Sequence, residues 1–209
     1  MFRPTFALGA LAALALTIAA AVSAQAQTTV GQPAPAFTAT DTSGKPVTLA
    51  SFKGKYVVLE WTNPGCPFVK KHYDGGNMPA TQKAAVAKGV VWLSMVSTSK
   101  THQDYASPTE LAAWQKSKGA VPTATLMDAD GKVGRLFAAR TTPHLYIVNP
   151  DGNVVYAGGI DSIPSANPGD IKSATNYVNQ SLGEVLAGKP VSQPVTRAYG
   201  CSVKYDNAG

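Results

Sequence analysis

One cysteine stands at a turn between a predicted strand and a predicted helix. Residues 56–61 form an apolar run typical of a strand, residues 62–65 contain a Pro/Gly turn, and Cys66-Pro67 follows. A cysteine at a helix start lies near unpaired backbone N–H groups and the positive end of the helix dipole, which favours the nucleophilic thiolate. Pro67 fits the first helical position, because its missing N–H would have no partner there. We therefore predict an exposed, reactive thiol at Cys66.

The second cysteine, Cys201, lies in the C-terminal segment. Two cysteines in an oxidising compartment are compatible with a disulfide, and closing so long a loop would stabilise the fold by about 5 kcal/mol in the chain-entropy model. Two interpretations stay open. Cys201 either resolves an oxidised or mixed-disulfide form of Cys66, or the two cysteines form a permanent structural bridge.

The first residues have the pattern of an export signal. Arg3 precedes an apolar stretch over residues 8–22, and small residues suited to cleavage follow. We predict a signal peptide over residues 1–26 and a periplasmic protein, with no membrane association after cleavage. The apolar stretch is short for a transmembrane span.

Charge and composition restrict the other function classes. The chain of 209 residues has 18 Lys and Arg against 12 Asp and Glu, and the basic residues are scattered. A nucleic-acid-binding surface would need them clustered, so we expect no nucleic-acid partner. After signal removal the length suits one domain, which we place at residues 28–188, with a C-terminal tail over residues 189–209.

Strand and helix patterns alternate along that domain. A hairpin over residues 37–49 precedes the strand at 56–61, and further strands are predicted near residues 90–96, 123–127, 144–148 and 153–157. Helical patterns lie between the strands, and a last helix is predicted from Asp170, as its N-cap, to Leu186. The order predicts an α/β fold with a mixed sheet covered by helices on both faces and an N-terminal hairpin extension. The tail has little periodicity, and we expect it to be mobile.

Two separated motifs resemble a known fold. The strand, turn, Cys66 and helix resemble the active-site corner of thioredoxins, and Thr142-Pro143 before an apolar strand resembles their cis-proline loop. The Cys-Pro-Phe-Val-Lys corner, with the tail Gly-Cys-Ser-Val-Lys-Tyr at residues 200–205, resembles the peroxiredoxin-like redoxin family with its AhpC/TSA-type domain. The resemblance implies that Thr142 offers backbone hydrogen bonds to an extended partner beside Pro143. It also makes Arg140 a candidate for stabilising the thiolate.

The sequence departs from both parent patterns. Asn63 and Val69 stand where a Cys-x-x-Cys motif would place its second thiol. Leu59 and Asn63 also replace the Pro and Thr of the Pro-x-x-x-Thr-x-x-Cys loop of peroxiredoxins. The predicted function is therefore a periplasmic thiol-dependent oxidoreductase with one nucleophilic cysteine, Cys66. We expect it to act on a peroxide or a disulfide-containing protein, with a thiol reductant and without a cofactor or metal.

Two alternatives come from other function classes. The first is a non-catalytic thioredoxin-fold module that binds an extended peptide and keeps a structural Cys66–Cys201 bridge. The second is a copper-binding redoxin, in which Cys66 and His144 would be joined by His72 or His102 as ligands.

Overall fold

The computed structural model describes Met1 and residues 28–206. The signal peptide predicted over residues 1–26 lies outside the described residues, apart from Met1. Within the described part of the chain, no helix has both the length and the apolar character needed to cross a membrane.

Seven strands form one mixed sheet in the order β2-β1-β5-β4-β3-β7-β8. They are β1 Thr38–Asp41, β2 Pro46–Thr48, β3 Val57–Trp61, β4 Val91–Val96, β5 Ala124–Met127, β7 His144–Val148 and β8 Val154–Gly158. Strands β3, β4 and β5 are parallel to one another, whereas the hairpin β1–β2 and the pair β7–β8 are antiparallel. Two short strands, β6 Thr141–Thr142 and β9 Cys201–Ser202, pair with each other in a separate antiparallel ladder.

The helices connect these strands and cover the sheet. They are α1 Pro67–Asp74, α2 Asn77–Ala87, α3 Pro108–Ser117, α4 Lys132–Leu136 and α5 Tyr177–Leu186, with 3-10 turns at Leu49–Phe52 and Pro168–Lys172. Ser107 caps α3 in a capping box with Glu110, which fixes its start. The predicted mixed α/β architecture with its N-terminal hairpin is confirmed.

The central strands are buried on both faces. Every residue of β3 and β4 is buried, as expected of interior strands in a parallel arrangement. Alternate side chains of β3 enter two separate cores. Leu59 and Trp61 pack in the first core, and Val58 packs in the second, which also contains Cys66.

The predicted start of the last helix is wrong. α5 begins at Tyr177, with the Asn176 side chain accepting from the Asn179 backbone N–H, and Asp170 belongs to the preceding 3-10 turn. Asn176 pairs with Asp161 in an isolated β-bridge. This tertiary pairing holds the chain extended just before α5, so helix cannot continue through it.

Candidate active site

The turn before α1 holds Cys66 at the N-cap of that helix. Its backbone is extended, with φ −74° and ψ 124°, and Pro67 occupies the first turn, as predicted. Asn63 organises the turn, because its side-chain oxygen accepts from Gly65 N–H at 2.7 Å and its carbonyl accepts from Cys66 N–H at 3.0 Å. The local sequence therefore places the sulfur where β3 ends and α1 begins.

The peptide bond between Thr142 and Pro143 is cis, as the resemblance implied. This loop precedes β7, which pairs with β3, so it lies beside the cysteine turn. The Cys66 thiol donates a hydrogen bond to the Thr142 carbonyl oxygen at 3.1 Å. The structure thus brings Cys66, Thr142 and Pro143 together.

The predicted exposure of Cys66 is wrong, because the residue is only 2% exposed. The predicted mobility of the tail is also wrong at this point, because residues 201–202 form β9 on the edge of β6. β9 pairs with β6 beside the cysteine turn, and Cys201 packs against the second core, which contains Cys66. Long-range strand pairing of this kind has no local sequence signal.

Cys201 lies opposite Thr142 in the β6–β9 ladder. The sulfurs of Cys201 and Cys66 are not bonded to each other. Burial, and after it the neighbouring Cys66 thiol, raises the pKa of Cys201 to about 11. Cys201 therefore keeps its proton at neutral pH.

Further charges surround the two thiols. The Asp104 side chain lies against Gly65, where an added Cβ would come within 3.1 Å of its carboxyl carbon. Asp104 adds to the raised pKa of Cys201, while Lys204 opposes it. The Arg140 side chain is exposed, and its backbone carbonyl accepts from Val203 N–H at 3.0 Å.

Sequence reasoning missed a buried charge cluster in which Lys71 of α1 contacts Asp161 and Tyr199 (the Lys71 cluster). Lys71 is only 1% exposed, and its Nζ donates to Asp161 Oδ2 at 3.1 Å and to Tyr199 Oη at 3.1 Å. The Tyr199 hydroxyl in turn donates to Asp161 Oδ1. Tyr199 lies two residues before Cys201, so the cluster anchors the tail at the site.

His72 extends this cluster. Its Nε2 lies 3.1 Å from Tyr199 Oη, and its Nδ1 lies 2.9 Å from Asn77 Nδ2. Since the Asn77 amide nitrogen can only donate, His72 Nδ1 is the acceptor and Nε2 carries the proton. Burial lowers the pKa of His72 to about 4.

A second buried acid, Glu60 on β3, also went unnoticed in the sequence. Its carboxylate accepts hydrogen bonds from Tyr73, Gln82, Trp92 and Ser94. Burial raises its pKa, and these hydrogen bonds oppose the rise. A single Glu in an apolar strand was the available sequence signal.

The copper-binding alternative receives no support from the geometry. Among residues 28–206, no group of three or more His, Cys, Asp and Glu side chains is arranged to hold a metal ion. His144 is half-buried and its ring packs on Tyr146, and the loss of solvent around the ring lowers the pKa of His144 to about 4.

The model of the AhpC/TSA family matches residues 30–157. No curated protein matches the chain.

Solved structures extend the likeness beyond the family match. A hypothetical protein of Sinorhizobium meliloti is 24% identical with a TM-score of 0.76, over 88% of this chain and 98% of that one. An uncharacterised conserved protein of Geobacillus kaustophilus is 25% identical with a TM-score of 0.73, over 88% and 95% of the two chains. A thiol:disulfide interchange protein from a Bacteroides species is 20% identical with a TM-score of 0.50, over 70% and 88%.

These similarities and the cis-proline corner establish a thioredoxin-like redoxin fold. The family match covers more than half of the chain. The chain therefore belongs to the AhpC/TSA family.

Proposed function

We propose that this protein is a thiol–disulfide oxidoreductase with Cys66 as nucleophile and Cys201 as the resolving thiol. The observation that carries the proposal is that both cysteines meet at Thr142 beside the cis Thr142-Pro143 peptide: Cys201 pairs with Thr142 in the β6–β9 ladder, and the Cys66 thiol donates to the Thr142 carbonyl at 3.1 Å. Cys201 keeps its proton, because its pKa is raised to about 11, whereas Cys66 lies at the N-terminus of α1, where a thiolate formed during the reaction is stabilised.

The reaction transfers two electrons from the cysteine pair to a disulfide. The Cys66 thiolate attacks one sulfur of a partner disulfide, forms a mixed disulfide and releases the other partner sulfur as a thiolate. Cys201 then loses its proton and attacks the Cys66 sulfur. The products are a Cys66–Cys201 disulfide and a fully reduced partner, and a thiol reductant regenerates the enzyme.

The residues around the sulfur have separate roles in this scheme. Thr142 supplies the backbone groups that align an extended partner, and Pro143 holds that backbone in position. The helix α1 N-terminus stabilises negative charge on Cys66. We assign Arg140 the role of adding positive charge near the site, since this residue is exposed and adjoins the β6–β9 ladder.

Peroxide reduction is the second candidate, favoured by membership of the AhpC/TSA family. The Cys66 thiolate would attack the O–O bond, form a sulfenic acid and release water or an alcohol. Cys201 would then condense with the sulfenic acid to give the disulfide and water. The turn favours disulfide exchange, because Leu59 and Asn63 stand where the peroxiredoxin loop has its Pro and Thr.

We also place the reaction in the periplasm. The supporting feature is the export-signal pattern over residues 1–26. The working boundaries are a redoxin domain at residues 28–188 and a tail at residues 189–209 that carries Cys201.

One pair of assays tests the proposal. The rates of reduction of a protein disulfide and of hydrogen peroxide are measured for the wild type, for Cys66→Ser and for Cys201→Ser. We expect Cys66→Ser to reduce disulfides no faster than the buffer does. Unchanged disulfide reduction in Cys66→Ser would overturn the proposal, and activity on peroxide alone would favour the second candidate.

A further inference from the structure

The edge of β6 is the surface on which an extended partner would have to align, and it is already occupied. Strand β9 pairs with it in the register Thr141 to Ser202 and Thr142 to Cys201. The residue opposite Thr142 is therefore a cysteine, and it packs against the same core that contains Cys66. A partner cysteine aligned for exchange would need this same position.

The segment on either side of Cys201 is fitted to this edge. Gly200 has a φ of +137°, and a Cβ added to it would lie 2.0 Å from the Thr142 carbonyl oxygen. Tyr199 is 7% exposed, and its hydroxyl completes the Lys71 cluster. The fit therefore selects a glycine directly before the cysteine and an aromatic hydroxyl two residues before it.

We propose that β9 is a built-in competitor for the protein substrate, which is an extended segment carrying a disulfide-bonded cysteine preceded by glycine. This inference rests on the proposed thiol–disulfide activity and adds the partner's chemistry and the step that precedes attack. Because Cys66 is 2% exposed, β9 must leave β6 before a partner disulfide reaches the sulfur.

The Tyr199 hydroxyl is the contact between the tail and the rest of the fold that a substitution can remove with least disturbance. Tyr199→Phe keeps the ring and its edge-on packing with Phe68, but it removes the contacts to Asp161 and Lys71. The matched control is Thr125→Val, which removes a buried hydroxyl that bonds Gln115 between β5 and α3, away from the tail.

The probe is a synthetic peptide with the sequence of residues 197–204, its cysteine joined to nitrothiobenzoate. In the Cys201→Ser chain, Cys66 attacks the peptide sulfur, forms a Cys66–peptide disulfide and releases the coloured nitrothiobenzoate thiolate. Both substitutions are made in the Cys201→Ser chain. There we expect Tyr199→Phe to accelerate the release of nitrothiobenzoate about tenfold and Thr125→Val to leave its rate unchanged. A peptide carrying Gly200→Ala is expected to react more slowly than the parent peptide.

Other results would overturn the inference. The inference fails if Tyr199→Phe does not change the rate of nitrothiobenzoate release, or if the two peptides react at equal rates. It also fails if Thr125→Val gives the same acceleration as Tyr199→Phe. Hydrogen exchange of the Val203 amide gives an independent readout, since this group donates to the Arg140 carbonyl in the β9 pairing. We expect it to exchange by local opening; exchange only at the rate of global unfolding contradicts the inference.

Two further measurements separate the explanations. Reaction of Cys66 with cystamine, a small disulfide, tests the proposed function without the peptide. If cystamine reacts and the peptides show no preference, the inference fails and the proposed function stands. If the rate of nitrothiobenzoate release depends on protein concentration and dimers form, the tail of one copy pairs with β6 of another. This exchange of tails then replaces the inference.

Discussion

Cys201 lies directly opposite Thr142 in the β6–β9 ladder, and the Thr142 carbonyl accepts a hydrogen bond from the Cys66 thiol at 3.1 Å. One backbone residue therefore connects both cysteines. It orients the tail through strand pairing and contacts the nucleophile through its carbonyl. In Cys-x-x-Cys proteins the adjacent helix supplies the second thiol, whereas here a distant strand supplies it.

The first prediction concerns the resolving thiol. Cys201→Ser should still attack a disulfide but should stop at the mixed disulfide, because no second thiol can attack the Cys66 sulfur. Mass spectrometry of the variant after mixing with a disulfide peptide should show one covalently attached peptide per chain. A full second step, with free enzyme recovered at the wild-type rate, would contradict the assignment of Cys201.

The second prediction concerns Gly200. Gly200→Ala should displace β9, because the new Cβ would meet the Thr142 carbonyl oxygen at 2.0 Å and the positive φ of +137° is unfavourable for alanine. We expect faster alkylation of Cys66 by iodoacetamide and slower formation of the Cys66–Cys201 disulfide. Gly183→Ala is the control, since an added Cβ there meets nothing within 4 Å.

The third prediction concerns the buried ion pair. Lys71→Met should lower the free energy of unfolding by about 3–5 kcal/mol, because Asp161 would be left as an unpaired buried charge. The double variant Lys71→Met with Asp161→Leu should be less destabilised than Lys71→Met alone. Urea unfolding of the two single variants and the double variant measures this coupling, and additive losses would show that the ion pair is not formed.

The fourth prediction concerns acid. His72 has its pKa lowered from 6.5 to about 4 by burial, so the unfolded chain takes up a proton that the folded protein refuses. The contribution of neutral His72 to the free energy of unfolding is present above pH 6.5. It is lost as the pH falls toward 4, by about 2 kcal/mol or more. Urea unfolding between pH 7 and pH 4 should show a shallower loss for His72→Gln than for the wild type. Parallel losses in both proteins would exclude His72 as a cause.

The fifth prediction concerns Glu60, whose pKa is raised by burial. Between the ordinary carboxyl value of 4.5 and the raised value, the folded protein holds a proton that the unfolded chain has released, so stability falls as the pH rises through this window. Glu60→Gln lacks this loss, and its stability relative to the wild type should increase from pH 4 to pH 8.

A second substitution at the same position checks the hydrogen bonds. Glu60→Leu leaves the donors of Tyr73, Gln82, Trp92 and Ser94 without their acceptor, so it should cost at least about 1–3 kcal/mol at every pH. Equal stability of the Leu and Gln variants would contradict the network. Thermal unfolding at two pH values is sufficient for this comparison.

The local features of the site could be predicted from the sequence. The β-branched run of β3, the Pro/Gly turn and Pro67 are short-range signals, so they identified Cys66 as the start of α1. Thr142-Pro143 before an apolar strand was also recognisable, and its cis bond is confirmed. Alternation of strand and helix patterns was sufficient for the mixed sheet, because each element carries its own periodicity.

Only the tertiary structure decided how the site is closed. Two contacts join residues far apart in the chain: the pairing of β9 with β6, and the ion pair of Lys71 with Asp161. The 2% exposure of Cys66 also depends on such long-range packing. A two-residue strand has no periodicity, and a buried lysine has the same sequence signal as an exposed one. Their positions depend on which distant groups can satisfy the backbone and the charge, and only the folded chain brings those groups together.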